Sequence, residues 1–401
     1  MIFVKRVRRH SRALDEFSST FAIFFALTSL GKPRTGITRK LSPAWSFPMA
    51  NLPLMKAPVQ SLSPTHLKVN PMTRSLLSTF VAILLSLTGQ AYAQTTTLKI
   101  QDYPGLGNFL VRVANANGIC AKHNLKCELR TIPQAPLGVQ TMLAGDIDVA
   151  YGPPEVMIQA INKGAEFKVL GNGAYEPIFF LMAAAGLDTP NAAKGYPAVI
   201  QDFKGKKIGV TARGAAAEFQ LISLLQGAGM KADDVTIVAV GAPNTAFPAI
   251  ANKQIDGLML FSPMDGFCEV TKVCRVVVDP RKGEGPEDIV KTAGAVSLMM
   301  VKADFAQKNA AALDAFGKAM HEAQVIVQNP DNFAAMLKLA QETFKINVPN
   351  GDQILEVALR NSMPALRYEV KPEALQHAAE YMQRTGQIDK LVDTSNLIFA
   401  R

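Results

Sequence analysis

The residues best placed to do chemistry are small ones that open helices directly after strand-like runs. Residues 207–211 (KIGVT) end at Thr211, and Arg213 with Gly214-Ala215-Ala216-Ala217 follows at once. A helix starting there leaves its first N–H groups without intrahelical acceptors. Its aligned dipoles favour an anion by about 0.3–1 kcal/mol, more when buried. Arg213 would match a carboxylate or sulfonate in bidentate fashion; a surface ion pair is the competing role. Tyr103-Pro104-Gly105, running on to Gly107, and Gly152-Pro153, running on to Glu155, are further turns of this kind. Tyr175 offers a ring for stacking or hydrogen bonding. Asn244 and Ser262 fall in turns near helix starts, and Asp265 is expected to cap the helix after Pro263. The chemistry in view is non-covalent capture of a small solute.

Bond-making chemistry has no comparable pattern. There is no G-x-S-x-G elbow, Walker loop, H-E-x-x-H or dinucleotide fingerprint. His123, His321 and His377 are scattered, and only His123 lies near a cysteine pair, so neither a metal nor a cofactor is expected. Glu155 with Asp265 is the one pair that would imitate an acid–base couple.

The 401 residues carry a formal charge of +9. Residues 1–71 hold eleven Lys/Arg against only Asp15 and Glu16, which accounts for the whole excess. The rest is balanced and has no basic footprint for nucleic acid. Residues 72–94 (MTRSLLSTFVAILLSLTGQAYAQ) have a charged start, a short apolar run and an A-x-A end. That is the form of a secretory signal peptide over 72–93, cleaved after Ala93 and exporting the remainder to the periplasm. Residues 1–71 are then expected to be disordered or a mispredicted extension. All four cysteines fall in the exported part. Their close pairs, Cys120/Cys127 and Cys268/Cys274, suggest two local bridges formed in an oxidising compartment. Three connectivities, and four free thiols, remain open at this level.

The positioning elements alternate. Strands are predicted over 98–101, 127–132, 147–151, 167–171 and 178–184, with helices over 108–117, 137–144 and 154–163. A second α/β unit follows the Gly195-Tyr196-Pro197 linker. Its strands are 207–211, 235–240, 257–261 and 274–278, with helices over 215–226, 244–252 and 263–270. A returning strand over 295–301 leads into an all-helical tail. This punctuation implies largely parallel sheets covered by helices. The segments LAGDIDVAYGPPEV (143–156) and IANKQIDGLMLFSPMDG (250–266) repeat one grammar: helix end, Ile-Asp, strand, proline turn, helix. Turns at the carboxyl ends of parallel strands are where open α/β sheets hold ligands.

The order and spacing of GICAKHNLKCELR (118–130), LAGDIDVAYGPP (143–154), FKGKKIGVTARGAAAEF (203–219), GMKADDVTIVAVG (229–241) and AIANKQIDGLMLFSP (249–263) carry a resemblance. Over roughly residues 97–390 the chain resembles type II periplasmic solute-binding proteins of ABC importers. The similarity is closest to the nitrate/sulfonate/taurine branch, which includes binders of thiamine pyrimidine precursors. It departs from the family pattern at Cys120, Cys127 and Arg213. The resemblance implies two α/β lobes, 94–190 plus 298–401 and 191–297, with hinge crossovers near 185–200 and 292–298 and a helical tail packed on the first lobe. It implies that the turn at Gly214 contacts the acidic group of the solute. It also implies a monomer that closes on a small organic anion or related heterocycle and docks on an inner-membrane permease. A secreted small-molecule enzyme on the same scaffold and a protein presenting ligand to a membrane sensor are the alternatives.

Overall fold

A computed structural model describes residues 95–399; the expected extension and signal peptide fall on residues 1–93, outside them. The first half runs β1 (Thr96–Asp102), α1 (Phe109–Ala116), α2 (Ile119–Lys122), β2 (Leu125–Thr131), α3 (Ala135–Ala144), β3 (Ala150–Gly152), α4 (Pro154–Asn162) and β4 (Phe167–Asn172). The chain then enters β5 (Phe180–Ala184), β6 (Lys207–Val210), α5 (Ala216–Gly227), β7 (Thr236–Ala239), α6 (Pro243–Ala251), β8 (Gly257–Leu260), α7 (Met264–Thr271), β9 (Cys274–Val278) and α8 (Glu287–Val290). It returns through β10 (Leu298–Lys302) into α9 (Ala303–Lys308), α10 (Ala310–Gln328), α11 (Phe333–Thr343), α12 (Gly351–Ser362) and α13 (Pro372–Arg384).

β1 and β2 pair in parallel from Thr96↔Leu125 to Asp102↔Thr131. β1 meets the start of β3 through the parallel bridge Ile100↔Val149, and β10 runs antiparallel between β3 and β4. The second sheet has the order β7-β6-β8-β5-β9, with β6 parallel to both neighbours and β5 antiparallel to β8 and β9. The two sheets therefore share one plan. Each carries a single antiparallel strand, supplied by the chain as it arrives from the other half. A strand arriving that way enters its sheet without the helical crossover that a parallel neighbour requires.

This plan corrects the expected boundary near residue 190. β5 pairs in the second sheet, so the first crossover lies between β4 and β5, ahead of residues 185–200. The tail also differs from expectation, because α12 packs on α7 of the second half. A Cβ on Gly266 would lie 2.3 Å from the Ile354 carbonyl oxygen, so the missing side chain is what lets the two helices approach. One buried apolar cluster runs through both halves, including Tyr103, Tyr151, Phe179, Phe180, Phe261 and Phe267. Cys120–Cys127 and Cys268–Cys274 are both disulfides. No helix among the described residues is long and apolar enough to cross a membrane.

Candidate functional site

Four chain segments leave parallel strands at their carboxyl ends and converge between the halves: Tyr103 after β1, Pro153 after β3, Thr211 after β6 and Phe261 after β8. They surround a narrow cavity of about 40 Å³ that opens to solvent. Aromatic side chains form much of its wall. Tyr103 meets Tyr151 and Phe261 edge to face, at 5.9 and 5.8 Å between ring centres, and Phe179 meets Phe261 at 5.8 Å. The Tyr103 hydroxyl shares a 3.2 Å hydrogen bond with Ser297 Oγ, and burial pushes its pKa up to about 12. Burial also holds the Tyr151 phenol well above its usual range. Both rings are therefore neutral donors at physiological pH.

No charged side chain lines this cavity among the described residues; its polar contributors are Gln134, Thr211, the two tyrosines and backbone. Helices supply the electrostatics instead. Gln134 and Ala135 sit at the start of α3 in the first half, Ala215 and Ala216 at the start of α5 in the second, and all four line the cavity. Neither N-cap residue supplies a side-chain acceptor. Pro136 has no N–H to offer and the Ala215 N–H donates to the Ala212 carbonyl, so what borders the shared space is the Ala135 N–H at the start of α3 and the Ala216 N–H at the start of α5. Small residues make the approach possible: a Cβ on Gly152 would lie 2.9 Å from the Ala135 Cβ.

Of the residues singled out by sequence, Tyr103, Gly152, Pro153, Thr211, Ala215 and Ala216 are brought together here. Gly105 works from behind, since a Cβ there would stand 2.6 Å from Tyr103 Cε2 and 2.7 Å from Phe261 Cε2. Pro104 only links it to Tyr103 and does not line the wall. Arg213 is turned away. Its side chain is 63% exposed, pairs with Glu218 Oε1 at 2.8 Å and donates to the Ile237 carbonyl at 3.1 Å. The Gly214 N–H is likewise taken by Glu218 Oε2 at 2.6 Å. The chain's own carboxylate thus occupies the place expected for a solute, the Ala215 N–H donates to the Ala212 carbonyl at 3.4 Å, and the donors at this helix start begin at Ala216. Asn244 is exposed on the first turn of α6, and Tyr175 lies against Arg367 and Lys371 of the tail. Neither reaches the cavity.

A second cavity of about 30 Å³ shares Tyr103, Ile178 and Phe261 with the first. Ser262 lines it, together with Arg281, Glu176 and Ser362. Arg281 grips both Asp279 oxygens at 2.8 Å, reaches Asp265 at 3.2 Å and lies 4.5 Å over the Phe180 ring. Asp265, expected as a cap, instead accepts from Ser262, Arg281 and Asn361. Glu155 has different company. Fully buried, it accepts from Gln220 Nε2 of the second half at 2.8 Å and from the Tyr381 hydroxyl. Burial raises its pKa against those two hydrogen bonds. Glu155 and Asp265 therefore share no partner and form no acid–base couple.

Sequence reasoning missed Gln134, Ala135, Ile178, Phe179, Phe261 and Arg281. Gln134 and Phe261 carried a usable signal: Gln134 lies between a predicted strand and the next helix, and Phe261 ends a predicted strand two residues before one. Arg281, in the return crossover, carried none.

Two sheets of one plan, joined by two crossovers and facing across a cavity at their strand ends, define the fold of periplasmic solute-binding proteins. The alkanesulfonate-binding protein SsuA of Xanthomonas axonopodis pv. citri, bound to MOPS, has this fold with a TM-score of 0.61 and 18% identity, over 76% of this chain and 99% of that one. The periplasmic nitrate-binding protein NrtA of Synechocystis gives 0.51 and 15%, over 64% and 69%. A family model described as NMT1/THI5 like matches residues 110–333, and the chain belongs to that family. A curated relative in Brucella abortus, described only as a binding protein, is 31% identical over 195 residues, which is 47% of this chain and 56% of the relative. The chain thus spans about half the length of the curated relatives it matches.

Proposed function

We propose that this chain is the solute-capturing component of an ABC importer, exported to the periplasm, where it closes on a small organic anion and hands it to a membrane permease. The observation that carries this reading is the pairing of uncapped helix starts, α3 from one half and α5 from the other, across an uncharged aromatic cavity. An anion there gains donors from both halves only when they are together, so binding shifts the population towards the closed form. The apolar and aromatic wall suits a hydrocarbon or aryl body behind the acidic group. Sulfonates and carboxylates fit this description, and the alkanesulfonate-binding protein SsuA, bound to MOPS, agrees with it. The two disulfides support an oxidising compartment.

The test is a thermal-shift panel of aliphatic and aromatic sulfonates, carboxylates and pyrimidines on the purified protein. A true ligand at 100 times its Kd adds about 2.7 kcal/mol of stability. Saturation with no change in ligand mass supports a receptor; product detected by mass spectrometry overturns it in favour of an enzyme. Stabilisation by cationic amines alone would refute the anion assignment.

A further inference from the structure

The ligand cavity ends on a wall that is also the wall of its neighbour. Tyr103, Ile178 and Phe261 line both spaces. Tyr103 is fixed by its hydrogen bond to Ser297, whereas Phe261 has only ring contacts, edge to face with Tyr103 and Phe179. Phe261 stands directly after β8, so its ring enters the gap between the halves from the second sheet. Gly105 is what lets it seat, since a Cβ would reach within 2.7 Å of the ring.

The space behind the ring differs in chemistry. It borders the first crossover at Glu176-Pro177-Ile178, the return crossover at Arg281 and the end of α12 at Ser362. Asp279 and Asp265 neutralise the Arg281 charge, but their bonds use only three of its five N–H groups. Ser262 gives its proton to Asp265 and keeps its lone pairs. The chamber thus offers spare donors and acceptors with no uncompensated cation, which suits an uncharged polar group such as a hydroxyl.

We propose that Phe261 is a specificity-determining partition: its ring stops the apolar end of the ligand, and the hinge-side chamber behind it is a second compartment that accepts a hydroxyl-tipped extension once the ring is removed. The proposal rests on the aromatic cavity being the ligand site. Wild type should therefore prefer short ligands. Each methylene forced against the ring should cost about tenfold in affinity, within the range a single methylene commands in a closed apolar pocket.

The experiment is calorimetric titration of straight-chain carboxylates and sulfonates of two to eight carbons, each with and without a terminal hydroxyl, against wild type, Phe261→Ala and Phe261→Leu. Circular dichroism and the urea midpoint report whether each variant folds, and Leu keeps the test available if Ala does not. Wild-type affinity should fall about tenfold at one chain length. In Phe261→Ala that fall should vanish, and hydroxyl-tipped members should bind at least tenfold tighter than their plain counterparts; in Phe261→Leu the cutoff should move by one or two carbons. Parallel profiles in wild type and folded variants overturn the partition alone. If wild type binds no member of the series, the reading of the cavity fails and the partition falls with it.

Discussion

Replacing Glu155 by Gln tests how the two halves are joined. The carboxyl is fully buried, takes hydrogen bonds from Gln220 of α5 and Tyr381 of α13, and leaves Oε2 with no partner. No cation is among its partners in the described residues; on α13, Arg384 is paired with Asp288 and His377 faces Tyr381. Burial is therefore the leading influence, and it raises the pKa. Between the unfolded-state value, about 4.3, and the raised native value, the folded chain holds a proton that the unfolded chain has lost. Stability from this group is complete below the unfolded value and declines as pH rises through the native one. Inside that window the slope approaches about 1.4 kcal/mol per pH unit. Gln carries no titratable proton, and an amide flip of Gln220 lets its Oε1, unpartnered in wild type, accept from the new side chain. Glu155→Gln should therefore abolish the slope and gain stability over wild type as pH rises. Glu155→Ala should lose about 2–6 kcal/mol by stranding two buried polar partners. The assay is urea unfolding followed by far-ultraviolet circular dichroism between pH 4.5 and 8.5. Equal pH slopes in wild type and Glu155→Gln would refute the reasoning.

Other outcomes follow from the same contacts. Gly105→Ala drives a methyl into the Tyr103 and Phe261 rings and should cost about 1–3 kcal/mol in urea unfolding, because a close-packed wall cannot yield. Arg213→Ala removes the exposed partner of the buried Glu218, which keeps its bond from the Gly214 N–H; stability should fall by about 1 kcal/mol and ligand affinity should change by less than threefold in calorimetric titration. A hundredfold loss of affinity would place Arg213 at the ligand. Reducing Cys120–Cys127 and Cys268–Cys274, whose partners are seven and six residues apart, should each lower stability by about 2–3 kcal/mol. Non-reducing peptide mapping should recover these two pairs.

Much of this protein is written locally. Strand, turn and helix recur along residues 97–278 with small residues and prolines at the turns, and those signals act over a few positions, so they can be read off the chain. The two cysteine pairs are also local, and close spacing was enough to suggest them. Arg213 shows where such reading stops. Its type and place beside a helix start point towards an anion, yet whether the guanidinium faces a solute or Glu218 depends on a rotamer and on a carboxylate one turn along the helix. β5 makes the same point at larger scale: its apolar run marks a strand but does not say which sheet it enters. Pairing depends on hydrogen-bonding edges that exist only after both halves have formed. The contacts of Phe261 with Tyr103, of Glu155 with Gln220, and of Arg281 with Asp265 join residues from 16 to 158 positions apart. No short-range pattern encodes such meetings, because they arise when the chain crosses twice between the halves and brings separate strand ends to one cavity.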